Sequence, residues 1–261
     1  MAEPVTFFSH IPKTAGSTLL RIIRSQYPPE QILNLYRATL RDAFTKVQDL
    51  PDTTRMIIGH MSFSLCSHIR RPFRAITIFR DPVERVLSLY YYIARRSTHQ
   101  CHPAVASGEM TLLDLARMDG NSHILWLSGQ DKDTGLAPAE LLALAKKKLL
   151  AENVEFGLTE RFDETIVLFS RKLNWNVKAY MSQNVTLNRP KRGQISPADL
   201  SAVESASAPD LELYAFARER FEQKIAQQPP EFTAAVARLR RPSVAKRIFH
   251  ALASRLGSRR S

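Results

Sequence analysis

Cysteine is nearly absent from this chain. Its 261 residues hold two, Cys66 and Cys101, too few for a disulfide framework, so both are expected as free thiols in a reducing compartment. There is no uninterrupted apolar run of the roughly eighteen residues that a membrane-spanning helix needs. The opening Met1-Ala2-Glu3-Pro4 has neither the basic nor the apolar region of a secretory leader. The expectation is therefore a cytoplasmic protein that is neither exported nor anchored. Acid is missing from one end: Phe232 to Ser261 contains eight Lys or Arg residues and no Asp or Glu, which leaves only +4 of the net +12 for the rest. Such a charge favours anionic partners, whether nucleotide, acidic glycan, lipid headgroup or nucleic acid, without choosing among them.

What is present fits one sizeable core. With 44% hydrophobic and 24% charged residues, residues 1–228 are expected to form one α/β domain and residues 229–261 a basic helical tail. Val5 to Ile11 is short, β-branched and aromatic, and runs into the turn-rich Pro12-Lys13-Thr14-Ala15-Gly16-Ser17-Thr18. Leu19, Ile22 and Ile23 then recur at helical spacing until Pro28-Pro29. Arg55–His60 and Phe73–Phe79 read as further buried parallel strands. Next comes Asp81-Pro82-Val83-Glu84, with an N-cap, a proline at the first helical position and an acid at the third, the pattern of a capping box. Val83, Val86, Leu87, Tyr90, Tyr91 and Ala94 form one stripe expected to pack on the sheet, with Ser88 off it. Met110–Ser128, Pro138–Leu150, Asp163–Leu173 and Asp210–Ile225 read as helices, Val154–Leu158 as a strand, and Ser182–Pro209 as a long loop with at most one helical turn. Two basic helical segments are expected after Pro230 and Pro242. The fold class is thus α/β: a P-loop-like central parallel sheet flanked by helices, with the basic helical tail.

Two strand-to-helix turns carry chemistry. A loop closing on a helix N-terminus aims backbone N–H groups and the positive helix end at one point, where a phosphate is stabilised. Gly16 permits close approach, Ser17 and Thr18 add hydroxyls, and Lys13 supplies a point charge. The lysine precedes the glycine and no second glycine is near, so this is not a Walker A loop and ordinary ATP or GTP use is disfavoured. The second turn sets Arg80 at a strand end and Ser88 eight residues later in the following helix. A guanidinium there makes bidentate contacts to a phosphate.

The first loop resembles the one that binds the 5′-phosphosulfate of 3′-phosphoadenosine-5′-phosphosulfate (PAPS). The stretch Arg80 to Tyr90 resembles the 3′-phosphate motif of sulfotransferases, with Arg80 and Ser88 in the phosphate-binding places. The likeness extends to carbohydrate sulfotransferases of the heparan sulfate 2-O and 6-O type and their bacterial relatives. Ile58-Gly59-His60-Met61-Ser62-Phe63 is similar to a segment carrying a catalytic base, and Asn121–Gly129, Val154–Asp163, Asn184–Pro190 and Asp210–Tyr214 are similar to later blocks. The resemblance spans about residues 5 to 225. It implies PAPS as donor, Lys13, Thr14, Ala15, Gly16, Ser17, Thr18, Arg80 and Ser88 as donor-binding residues, and Lys13 and His60 as catalytic ones.

Rival bases are His10 and His68. His99, Cys101 and His102 crowd too closely to make a metal site, and no metal is expected. Arg161 reads equally as a site residue or as half of an ion pair with Asp163 or Glu164. Arg189, Lys191 and Arg192, followed by Gly193, form a basic loop that the resemblance would set near the donor or an acidic acceptor. Val244, Ile248, Leu252 and Leu256 recur every four residues among Lys246, Arg247 and Arg255, which suits either a docked helix or one lying on a membrane surface, for the cytoplasmic protein peripherally at the inner membrane. The acceptor implied is a hydroxyl on a glycan or glycolipid; nucleic acid is not expected. A nucleotide-dependent phosphotransferase and a basic membrane-surface binding protein are the alternatives.

Overall fold

In this computed structural model of the protein, residues 3–130, 133–181, 190 and 192–240 are described. Five strands, β1 (Val5–Ser9), β2 (Ile32–Asn34), β3 (Met56–Gly59), β4 (Phe73–Phe79) and β5 (Val154–Leu158), form one parallel sheet in the order β2-β3-β1-β4-β5. Neighbouring strand residues point to opposite faces, and both faces are dry. Phe7 and Ile57 enter one core with Leu127, Leu142, Leu213 and Phe221, while Phe8, Ile58 and Ile76 enter another with Leu19, Ile23, Ile166 and Phe169. Burial on both faces explains why the strands read as unbroken apolar runs.

The first core is covered by α2 (Leu40–Gln48), α6 (Ser122–Ser128), α7 (Pro138–Leu149) and α10 (Ala208–Ala226). The second is covered by α1 (Gly16–Gln26) and α8 (Phe162–Leu173). With both faces taken, the helix after β4, α3 (Pro82–Arg95), has no sheet to lie on. Its stripe of Val83, Val86 and Leu87 packs instead on Ala116 and Val203, from α5 (Leu112–Asp119) and α9 (Pro197–Ala206), which corrects the expectation that it meets the sheet. Nearer its C-terminus Ile93 meets Val105 of α4 (His102–Ser107) and Leu115. The capping box is half present: Asp81 Oδ1 accepts from Glu84 N at 2.9 Å, but the Asp81 N–H donates to Glu160 at 3.0 Å, and Glu84 turns to Arg80.

Two other expectations change. The helix read over Met110–Ser128 divides at Gly120-Asn121, because Asn121 Nδ2 donates to Ala206 O at 3.0 Å and Asp210 receives the His123 and Ile124 N–H groups, both at 2.8 Å, starting a new helix. Inside the stretch read as loop, Ser196 accepts from Asp199 N at 3.0 Å and Pro197 sits at the first position, so α9 begins there. The first helix of the basic tail, α11 (Pro230–Arg240), sets Phe232 and Val236 in the larger core, with the Arg171 guanidinium 5.3 Å from the Phe232 ring. The segment after Pro242 lies outside the described residues, as do Arg189 and Lys191.

Candidate functional site

β1 has β3 on one side and β4 on the other. Connections leaving it part to opposite directions, and the crevice beyond the C-terminal ends of such strands is where α/β sheets take ligands. All three chemistry-bearing turns open there: Lys13–Thr18 after β1, His60 after β3 and Arg80 after β4.

The first loop is held in an uncommon conformation. Lys13 (φ 70°) and Ala15 (φ 62°) are both left-handed without being glycine, at a cost of about 1–2 kcal/mol each, and such alternation turns successive N–H groups to one side as an anion nest. Thr14 holds the turn: its buried hydroxyl donates to Ile11 O at 2.8 Å, so it acts as a staple within the loop. Ala15 caps α1 with its carbonyl, which accepts from Thr18 N at 3.0 Å, and Thr18 is buried. The N–H groups of Ala15 and Gly16 meet no backbone carbonyl among the described residues. Ser17 is half-buried beside them.

Gly16 has a role that sequence reasoning missed. A Cβ there would fall 1.9 Å from His10 Nε2; the space belongs to the His10 imidazole, which stacks on Phe8 with ring centroids 5.2 Å apart. His10 is 6% exposed. Burial, with His60 and Lys13 alongside, drives its pKa down to about 3, so it is neutral and a very weak base.

Arg80 and Lys13 are brought together by the fold. Arg80 Nη1 donates to Lys13 O at 3.2 Å, and Nη2 lies 3.5 Å from Glu84. Lys13 Nζ sits 4.0 Å from the centre of the Tyr92 ring, a cation–π contact. Glu84, Ser88 and Tyr92 are spaced by four on α3 and so form one column along its surface, with Arg80 at its foot and the lysine ammonium at Tyr92. Ser88 is only 5% exposed, more enclosed than a serine on an open helix face, because α3 is packed on several sides. Tyr92 was legible only through this spacing.

His60 lies beside the strand that leads into the loop, against His10. Its Nδ1 is 2.7 Å from His10 O. A carbonyl can only accept, so Nδ1 carries the proton and Nε2 is left with its lone pair. Its ring is 4.4 Å from that of His10 and 4.8 Å from that of Tyr36, centroid to centroid. Although the side chain keeps an exposed edge, burial of the rest lowers its pKa, partly opposed by the bond to His10. The next residue is anchored twice, Met61 O accepting from Ser9 Oγ at 2.7 Å and from Trp126 Nε1 at 2.9 Å. His68, the other rival, stacks on Phe44 at 3.8 Å, away from the cluster.

The foot of the column gains a second network. Tyr214 donates to Glu160 at 2.9 Å while Glu160 holds the Asp81 N–H, and Arg192 approaches Asp81 at 3.8 Å and pairs with Glu204. One member of the basic loop thus reaches the residue beside Arg80. Arg161 pairs with Glu164 at 3.2 Å and stacks toward Phe221, the ion-pair reading of that residue. His99 Nδ1 accepts from Cys101 N at 3.1 Å and His102 Nδ1 donates to Ile93 O at 2.8 Å, both spent on the loop.

No protein-family model matches the chain. Heparan-sulfate 6-O-sulfotransferase 1 of Homo sapiens is 25% identical to it over 275 residues, covering 85% of this chain and 66% of the relative. The Cricetulus griseus and Mus musculus proteins of the same name are each 24% identical over a similar share. The chain is thus similar in sequence to these sulfotransferases over most of its length. It spans about two thirds of the length of these curated relatives. Among solved structures, the sulfotransferase from Alicyclobacillus acidocaldarius aligns with 89% of this chain and 100% of its own (14% identity, TM-score 0.46), and mouse sulfotransferase SULT7A1 complexed with PAP with 78% and 63% (14% identity, TM-score 0.38). Among the described residues no helix is long and apolar enough to cross a membrane.

Proposed function

We propose that the chain transfers a sulfuryl group from PAPS to a hydroxyl of a saccharide acceptor, free or lipid-linked. The observation that carries this reading is the bond from Arg80 to Lys13 O: the two turns, far apart in sequence, meet, which supports their holding one donor with phosphate at both ends. The donor supplies an activated sulfur and a leaving phosphate. Arg80, with Ser88 above it and Arg192 nearby, is suited to the 3′-phosphate, and the left-handed loop and α1 N-terminus to the 5′ end. A saccharide is favoured by the names of the relatives.

In the step itself the acceptor oxygen attacks sulfur in line, its proton passes to His60 Nε2, and the bond from sulfur to the bridging oxygen breaks, releasing 3′-phosphoadenosine-5′-phosphate (PAP). Negative charge grows on the bridging oxygen. Lys13 and the N–H groups of Ala15 and Gly16 then stabilise the transition state more than the bound donor. Lys13→Ala is expected to lower kcat by about a hundredfold or more, with little change in donor KM. Arg80→Ala is expected to raise donor KM and to erase the preference for PAP over adenosine monophosphate in calorimetric titration. Equal affinity of the unsubstituted protein for PAP and adenosine monophosphate would sink the reading, as would metal-dependent turnover with ATP and none with PAPS.

A further inference from the structure

His10 and Tyr36 lie behind His60, and none of the chemistry above uses their side chains. His10 Nδ1 and Tyr36 Oη are 2.6 Å apart, Tyr36 meets both imidazoles edge-on, at 5.7 Å from His10 and 4.8 Å from His60, and the bond that sets the His60 tautomer ends on the carbonyl of His10 itself. We propose that Tyr36 and His10 are positioning residues for His60: the Tyr36 hydroxyl locks the His10 ring between Gly16 and His60, and the His10 unit so fixed holds His60 with Nδ1 protonated and Nε2 presented to the acceptor. The proposal rests on the reading of His60 as general base.

Geometry makes the pair more than filler. A ring held by Gly16 on one side and Phe8 on another is bonded at Nδ1 to the Tyr36 hydroxyl as well. His10 is also the residue whose carbonyl stabilises the imidazolium that His60 becomes, so the orientation of one unit governs both the starting tautomer and the charged product. Lys13 is the cation beside His10, and Arg24 the one beside Tyr36. Burial outweighs Arg24 and keeps the phenol protonated, its pKa raised, as a hydrogen-bonding lock requires.

Two readouts test this. In imidazole ¹⁵N spectra of the whole protein, His60 should appear as a single Nδ1–H tautomer, and Tyr36→Phe should mix the tautomers. With PAPS and a non-sulfated heparan-type oligosaccharide, Tyr36→Phe should lower kcat about tenfold, the equivalent of one lost hydrogen bond, leave the PAPS KM unchanged, and cost nothing further on His60→Ala. His10→Asn, which keeps the carbonyl but not the ring, should show the same kcat-only loss. An Nε2–H tautomer in the unsubstituted protein overturns the proposal, with or without a working acceptor. So does a Tyr36→Phe variant with full turnover, or one whose loss adds undiminished to that of His60→Ala. Full turnover by His60→Ala alone would instead remove the general-base reading on which the pair depends.

Discussion

Gly16→Ala separates two reasons for a glycine at the head of α1. If the glycine serves only a ligand, alanine there should spare folding and weaken donor binding. The structure says otherwise: the new Cβ would lie 1.9 Å from His10 Nε2 and 2.0 Å from Cδ2, far inside van der Waals contact, and the ring has no room to retreat, with Phe8 stacked on it and Tyr36 bonded to it. Overpacking of this kind costs about 1–3 kcal/mol, and loss of the His10–Tyr36 bond about 1. Alanine recovers somewhat under 1 kcal/mol through its better helix propensity. The net is a destabilisation of about 2 kcal/mol, or a fall of roughly 4–8 °C in Tm for a chain of this size. Differential scanning calorimetry of Gly16→Ala would measure it, with Gly193→Ala, where an added Cβ meets nothing within 4 Å, as the control expected to match the unsubstituted protein. His10→Ala should relieve the clash, so the double variant should be more stable than the sum of the two single losses by about 1 kcal/mol or more. A Gly16→Ala protein that melts normally but no longer binds PAP, or losses that simply add, would refute the assignment of that space to His10.

Two further expectations concern the buried charges that fix α3 and α6. Arg85 is fully buried and its Nη1 is 2.7 Å from Asp119, so Asp119→Ala, which removes the carboxylate and leaves Nη2 only the main-chain carbonyl of that position, should cost about 3 kcal/mol or more in urea unfolding; the pair Arg85→Met with Asp119→Leu should cost less than that single change, and the reverse order would contradict it. Asp210 is buried beside His123 and its pKa is raised to about 7, burial outweighing Arg85 and the two N–H donors. An acid that holds its proton more tightly when folded than the unfolded value of about 4 binds more protons in the native state, so its contribution to stability falls as pH rises from about 4 to about 7. Asp210→Asn should flatten that slope; unfolding free energies with the same pH dependence in both proteins would rule the assignment out.

The residues legible in the sequence are those whose chemistry is local. Lys13, Gly16 and the α1 start announce themselves because proline, glycine and a helical period follow one another within a single turn, and Arg80-Asp81-Pro82 does the same at the next. Even the N-cap was correct in kind, failing only where Glu160, many residues away, took the Asp81 N–H from Glu84. What stayed hidden depends on partners brought in by topology. β2 is three half-buried or exposed residues with too short a pattern to show, yet its placement at the sheet edge delivers Tyr36 to His10. The division at Gly120-Asn121 is invisible without Asp210 and Ala206, and α9 was masked by bland composition despite the Ser196-Pro197-Ala198-Asp199 start. Gly16 illustrates the limit best: the sequence offers one reason for a glycine there, and the structure adds a second. A loop beside a helix start suggests room for an incoming phosphate; what only the fold shows is that a Cβ there would also meet a histidine six positions earlier, brought back by two left-handed residues that no propensity favours. A loop that holds such strain at the mouth of a sheet needs something to oppose it, and the His10 ring, stacked on Phe8 of the strand before the loop, bonded to Tyr36 and wedged at Gly16 where the next helix begins, also lies against the His60 ring.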